Sequence, residues 1–208
     1  MLRVGLTGGV ACGKTTVGEM FVRRGAHLVQ ADKIAHDLMQ PGTAVYSRIV
    51  EAFGREILNS NGTISRPKLA DAAFGKGRTA ELNAIVHPVV IAEEERWMKN
   101  VAAGDLDAIA IVEAALLVEA GRAKSYDKLI TVTCSLERKV QRFATRHGMD
   151  IDAARREVER RMAAQLSDEA KIRVSDYVID NSGSLKDTEK QVESVFRELR
   201  STAIESQG

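Results

Sequence analysis

The sequence predicts an α/β fold: a parallel five-stranded sheet flanked by helices, with a helical insert and a helical lid. Three observations predict it. Short β-branched runs alternate with segments of helical period, a glycine-rich loop joins the first strand to the first helix, and strand signals vanish over residues 32–107.

The strands are read at residues 2–7, 26–30, 108–113, 128–134 and 177–180, each a short, largely apolar run of the kind buried in a parallel sheet. The first helix begins near Lys14: Val17, Met20 and Phe21 share one face, Arg23 and Arg24 suit its negative end, and Gly25 suits its stop. The interval 32–107 reads as short helices punctuated at Pro41-Gly42, Asn59-Ser60-Asn61-Gly62, Arg66-Pro67 and Gly75-Lys76-Gly77. A crossover between parallel strands needs only one helix, so this interval is an insert. The domains are therefore expected at 1–31 and 105–208 for a nucleotide-binding core, and at 32–104 for a helical substrate-binding insert. A second, arginine-rich helical excursion at 136–170 is the expected lid. Leu185, Val192, Val195, Phe196 and Leu199 mark a terminal amphipathic helix, with residues 201–208 expected to fray.

Composition bounds the function classes. The 208 residues are 44% hydrophobic and 28% charged, with a formal net charge of +1. That balance offers no basic footprint for nucleic acid or a membrane surface. Cys12 and Cys134 lie far apart and suggest neither a disulfide framework nor a zinc site. The start Met-Leu-Arg-Val-Gly does not read as a signal peptide, and no apolar run approaches the ~20 residues that span a bilayer. A cytoplasmic protein with no obligatory protein partner is expected.

Gly8-Gly9-Val10-Ala11-Cys12-Gly13-Lys14-Thr15 satisfies G-x-x-x-x-G-K-[ST] between an apolar strand and a helix, the context of a phosphate-binding P-loop, and makes the fold a P-loop NTPase fold. Glycines let the backbone turn its N–H groups toward a polyphosphate, and the helix start adds its positive end. Lys14 is expected to reach the β- and γ-phosphates, and the Thr15 hydroxyl to ligate Mg²⁺. Removing a comparable electrostatic donor from an active site costs on the order of 3 kcal/mol. Cys12 reads either as a thiol activated by a helix N-terminus or as a small residue filling a variable loop position.

Ligands of open parallel sheets sit beyond the carboxyl ends of the strands. Asp32, just past the second strand, reads either as the acceptor of a proton from an attacking hydroxyl or as the cap of a helix at 33–39. Glu113 ends an apolar strand and reads either as the holder of a Mg²⁺-bound water or as an acid closing a strand. Arg138, Arg142 and Arg146 repeat every four residues on one helix face. One or two of the lid arginines are expected at ATP; the rest suit ion pairs with Glu137, Glu157 and Glu159.

Together these residues resemble the dephospho-CoA kinase family along nearly the whole chain. Leu6-Thr7-Gly8-Gly9 is similar to the family's opening, and Ala31-Asp32-Lys33-Ile34-Ala35-His36 to its D-A-D-x-I-A-R/H element. Arg66-Pro67-Lys68-Leu69-Ala70 with Phe74 resembles R-x-x-L-x-x-x-x-F, and Leu82-Asn83-Ala84-Ile85-Val86-His87-Pro88 resembles L-(N/E)-x-I-x-H-P. Leu116-Leu117-Val118-Glu119 follows P-L-L-F-E, and Arg161-Met162-Ala163-Ala164-Gln165 follows R-I-A-A-Q. Asp176-Tyr177-Val178-Ile179-Asp180-Asn181-Ser182-Gly183 is similar to A-D-Y-V-I-D-N-S-G.

The resemblance implies that ATP, with Mg²⁺, phosphorylates the ribose 3′-hydroxyl of dephospho-CoA in the last step of coenzyme A synthesis. It implies that Asp32 orients or deprotonates that hydroxyl, and that Lys14 and Arg142 meet the ATP phosphates. Residues 8–15 and Thr16 would hold ATP, with Asn181 near its adenine end. Thr7, Arg66, His87, Glu119 and Arg161 would belong to the substrate side. Read without the family, His87 suits a helix start, Arg66 a surface turn, Glu119 a strand-to-helix junction and Asn181 a turn. The sequence departs from the pattern at Gln30 for the first Asp of D-A-D, at Ala11-Cys12 for Gly-Ser, and at Glu113 and Ala115 for Asp and Pro.

A nucleoside monophosphate or sugar kinase would share the loop, insert and lid. The ordered set Arg66, His87-Pro88 and residues 176–183 argues against it. A GTP-binding switch would need an [NT]-K-x-D element for guanine, which is absent. Mere nucleotide binding would need no acid at Asp32.

Overall fold

Alternate residues of the central strands are apolar toward both faces, so the sheet can only be stable when covered on both sides. In the computed structural model, which describes residues 1–75 and 77–205, this is what the chain builds. The strands are β1 (Leu2–Gly8), β2 (His27–Gln30), β3 (Ile109–Glu113), β4 (Lys128–Thr133) and β5 (Tyr177–Asp180). They lie in the order β2-β3-β1-β4-β5 and all pair in parallel. Chain direction along the sheet reverses around β1, so a crevice opens beyond its carboxyl end, where the glycine-rich loop begins.

One face of the sheet packs on α1 (Lys14–Val22) and α9 (Leu185–Glu205). Leu2, Val4, Leu6, Ile109, Ile111, Ile130 and Val132 meet Val17, Met20 and Phe21 of α1 and Val192, Val195 and Leu199 of α9. Each such fully buried side chain stabilises the fold by about 1.5–3 kcal/mol. On the other face Gly5 leaves no room for a side chain: a Cβ there would lie 3.0 Å from Leu117 and 3.1 Å from Tyr126.

The chain divides into two compact units, 1–30 with 98–208, and 31–97. The expected insert was 32–104; the second unit ends earlier because α5 (Thr79–Gly104) runs on past it. This unit also contains α2 (Ala31–Leu38), α3 (Ala44–Phe53) and α4 (Arg66–Ala70). Thr43 caps α3, accepting from Tyr46 N at 3.0 Å, and Val45, Ile49, Phe53, Ile57 and Leu69 are buried. Residues 79–104 are one helix of 26 residues, not the short helices expected. Pro88 forfeits one backbone hydrogen bond, but Val86, Val90, Glu94 and Met98 line a single buried face that carries the helix through. His87 therefore lies mid-helix rather than at a helix start, and Asp32 lies in the first turn of α2 rather than before it. Of the Gly75-Lys76-Gly77 turn, Lys76 lies outside the described residues.

The segment expected to form a lid, residues 136–170, belongs to the sheet unit. It comprises α6 (Leu136–His147), α7 (Ile151–Ala163) and α8 (Asp168–Ile172), capped by Ser135, Asp150 and Ser167 side chains. Gly148 closes α6 in the left-handed region, turning the chain into α7. Val140, Phe143 and Ala144 of α6 pack on Ala154 and Val158 of α7, and this cluster rests against Val10 and Ala11 of the loop. The terminal helix α9 continues through residues 201–205, expected to fray, because Ala203 is buried; residues 206–208 lie outside the described residues. Among the described residues, no helix is long and apolar enough to cross a membrane.

Candidate active site

Residues 8–15 pass from β1 into α1 through backbone angles that few residues tolerate. Gly8 has φ 151° and Gly13 φ 89°. A Cβ on Gly8 would lie 2.3 Å from the Val132 carbonyl oxygen, and one on Gly13 2.3 Å from Asn181 Nδ2. Both positions require glycine. Ala11 adopts φ 53°, the left-handed region without glycine's freedom, at about 1–2 kcal/mol. Its side chain and that of Val10 pack on the α6–α7 cluster, while Cys12 is wholly buried in the sheet core. Cys12 is thus a core-filling residue. The first N–H groups of α1 have no acceptor within the helix and are available to an anion.

Lys14 reaches back over the loop, its ammonium donating to the Gly8 carbonyl at 3.0 Å and the Gly9 carbonyl at 3.1 Å. The Thr15 hydroxyl donates to Glu113 Oε1 at 3.0 Å, and Gln30 Nε2 donates to Glu113 Oε2 at 3.1 Å. Glu113 is 8% exposed, so its carboxylate is held from both sides in a low-solvent position. The nearby donors are hard oxygens, a hydroxyl and a carboxylate, which suits Mg²⁺, an ion that otherwise keeps water and substrate phosphate.

Asn181 follows β5, and its role is structural as well as local. Its Nδ2 donates to the Cys12 carbonyl at 2.8 Å, its Oδ1 accepts from the Thr188 hydroxyl at 3.0 Å, and it is 1% exposed. The side chain thus ties the loop to α9. Arg142 crosses the same junction, donating to the Cys12 carbonyl at 3.1 Å, the Asn181 carbonyl at 3.0 Å and Cys134 Sγ at 3.3 Å. Burial pushes the Cys134 thiol up in pKa, opposed by the Arg142 guanidinium. Beside this junction opens a cleft of about 380 Å³ lined by Gly13, Thr16, Arg142, Arg146, Asn181 and Leu185 among others. Arg138, on the same face of α6, donates to the Ser182 carbonyl at 3.1 Å.

Three of the expected substrate residues lie in the sheet unit and are engaged with the protein. Thr7 is fully buried and donates to the Ala115 carbonyl at 3.3 Å. Glu119 pairs with the buried Lys171 at 2.9 Å and accepts from Leu166 N at 3.0 Å. Arg161 pairs with Glu157 at 2.7 Å and lies over the Phe143 ring at 5.0 Å. The other three lie in the helical unit. Asp32 and His87 are exposed, and Arg66 lines a cleft of about 190 Å³ with His36, Met39, Gln40, Thr63 and Ile64. Among the described residues, Asp32 and Arg66 have no hydrogen-bonded or ion-pair partner.

Sequence reasoning missed the buried Lys139, which pairs with Asp168 at 2.6 Å and bears on Gly9, where a Cβ would lie 3.3 Å from Lys139 Nζ. It also missed the Gln30–Glu113 contact and the His36 side of the smaller cleft. Of these, the Gln30–Glu113 contact had a partial signal, since each residue ends an apolar strand run, but which strands are neighbours is decided by the sheet; a lysine on an arginine-rich helix looks like any other solvated cation.

A family model described as dephospho-CoA kinase matches residues 2–187. A dephospho-CoA kinase of Aquifex aeolicus is 42% identical over 200 residues, covering 96% of this chain and 98% of that protein. The solved structure of TT1252 from Thermus thermophilus matches with TM-score 0.76 and 27% identity, covering 95% of this chain and 97% of that one. The structure of a dephospho-CoA kinase from Campylobacter jejuni shares the fold, with TM-score 0.67, 24% identity, and 96% and 98% coverage.

Proposed function

The chain belongs to the dephospho-CoA kinase family, and from that premise we propose how its residues perform the family's reaction. It is an ATP-dependent kinase that phosphorylates the 3′-hydroxyl of dephospho-CoA, giving CoA and ADP. The hydroxyl oxygen bonds to the γ-phosphorus, the bond from that phosphorus to the β–γ bridging oxygen breaks, and the hydroxyl proton leaves to a base.

In our reading the loop amides and Lys14 hold the polyphosphate, and the ammonium exchanges the Gly8 and Gly9 carbonyls for phosphate oxygens. Arg142 stands across the loop from Lys14 in role: it already touches the Cys12 carbonyl, and a short rotation redirects it to phosphate oxygens. The cleft beside Gly13 and Thr16 takes the nucleoside, with Asn181 shaping its wall through the loop rather than hydrogen-bonding the base. Thr15 would hold Mg²⁺ directly and Glu113 a water on it; the ion would offset charge on the β- and γ-phosphates. Asp32 accepts the 3′-hydroxyl proton, a role its exposed and unpartnered carboxylate suits. Arg66 and His87 serve the acceptor from the helical unit. Thr7, Glu119 and Arg161 act through the elements they brace. We place the enzyme in the cytoplasm, where ATP is made and Cys12 and Cys134 persist as free thiols.

The observation that carries this reading is the loop itself: Gly8 and Gly13 in glycine-only conformations, with Lys14 folded over them and Thr15 bonded to Glu113. Its test is ADP release measured with dephospho-CoA, AMP, CMP, gluconate and pantothenate as acceptors. Release is expected with dephospho-CoA; release with another acceptor and none with dephospho-CoA overturns it.

A further inference from the structure

Gln30 and Glu113 end the neighbouring parallel strands β2 and β3 and stand opposite one another in register. Residues so paired present their side chains to the same face of a sheet. Their polar ends accordingly meet, with Gln30 Nε2 3.1 Å from Glu113 Oε2. The other carboxylate oxygen takes the Thr15 hydroxyl proton at 3.0 Å. A carboxylate that accepts from Thr15 on one oxygen and from Gln30 on the other cannot rotate without losing both of these bonds.

We infer that Gln30 is a positioning residue for the metal-nucleotide end of the site. Its carboxamide holds Glu113 so that Oε1 keeps the Thr15 proton and the hydroxyl lone pair stays free for a cation. The amide is essential to this arrangement, because an ionised carboxylate in its place has no proton to donate. The two departures from the family pattern at 30 and 113 are therefore hydrogen-bonded to each other and operate as one unit. The inference rests on the proposed nucleotide site, but not on which acceptor is phosphorylated. Partners that orient a metal ligand are worth 10–100-fold in metal affinity.

The test is calorimetric titration of ATP into the protein, once with Mg²⁺ and once with EDTA. Gln30→Met, which keeps the volume and removes the donor, should weaken binding about tenfold with Mg²⁺ and leave it unchanged with EDTA. Gln30→Ala should do the same, since the missing donor and not the missing volume is responsible. Equal loss in both buffers, or no loss in either, overturns the inference. If unaltered protein bound ATP in neither buffer, the nucleotide-site reading itself would fall instead.

Discussion

A base for a hydroxyl must have its lone pairs available, and Asp32 is one of the carboxylates in this chain whose lone pairs no described neighbour claims. Glu113, by contrast, accepts on both oxygens and is unsuited to proton transfer. Asp32→Asn should therefore lower kcat by about 10²–10⁴-fold while ATP affinity and the unfolding temperature stay as they were. An unchanged kcat would remove Asp32 from the chemistry. At this scale the loop was legible, because G-x-x-x-x-G-K-[ST] specifies backbone geometry that few sequences satisfy. The partners of Asn181 and Arg142 were not, since residues 12, 142 and 181 meet only once β1, α6 and β5 are side by side.

At the scale of elements, strands were read to within a residue of their ends because β-branched runs and flanking turns are local signals. Helix α5 was not, because proline is a local stop signal and a buried face is not local. The α6–α7 hairpin rests on both kinds of force. Its packed cluster joins α6 to α7, and on its exposed side Arg160 and Arg161 hold the Glu157 carboxyl down to about 2. A depressed carboxyl contributes stability that is complete above its ordinary 4.5 and is lost as pH falls toward about 2. The pairs are largely exposed, so the contribution is below about 1 kcal/mol. Urea unfolding of the protein and of Glu157→Gln should differ at neutral pH and converge between those two pH values. A constant difference would assign the effect to something other than the charge.

For the molecule as a whole, ligand binding is a stability term. ATP at a hundred times its Kd should stabilise the protein by about 2.7 kcal/mol. At about 2–4 °C per kcal/mol, that raises the unfolding temperature by about 5–10 °C. Lys14→Ala should unfold at the same temperature as the unaltered protein without ATP, because among the described residues the Lys14 ammonium bonds only loop acceptors, and should lose most of the ATP-induced rise. A full rise in the variant would count against Lys14 as the main phosphate cation.

What the sequence determined by itself was the order of strands and helices, the phosphate loop and the acid that follows the second strand. These depend on periodicity, turn chemistry and backbone permissiveness, which act over a few residues. The tertiary structure decided which side chains the protein consumes internally. Glu119, Arg161, Thr7 and Asn181 are bonded to neighbours 47, 4, 108 and 169 residues away in the chain. Most of these contacts span separations at which no local pattern survives, and burial makes an unpaired polar group costly enough to force them. The same physics placed Gln30 against Glu113, turning two isolated departures into one hydrogen-bonded unit beside the loop.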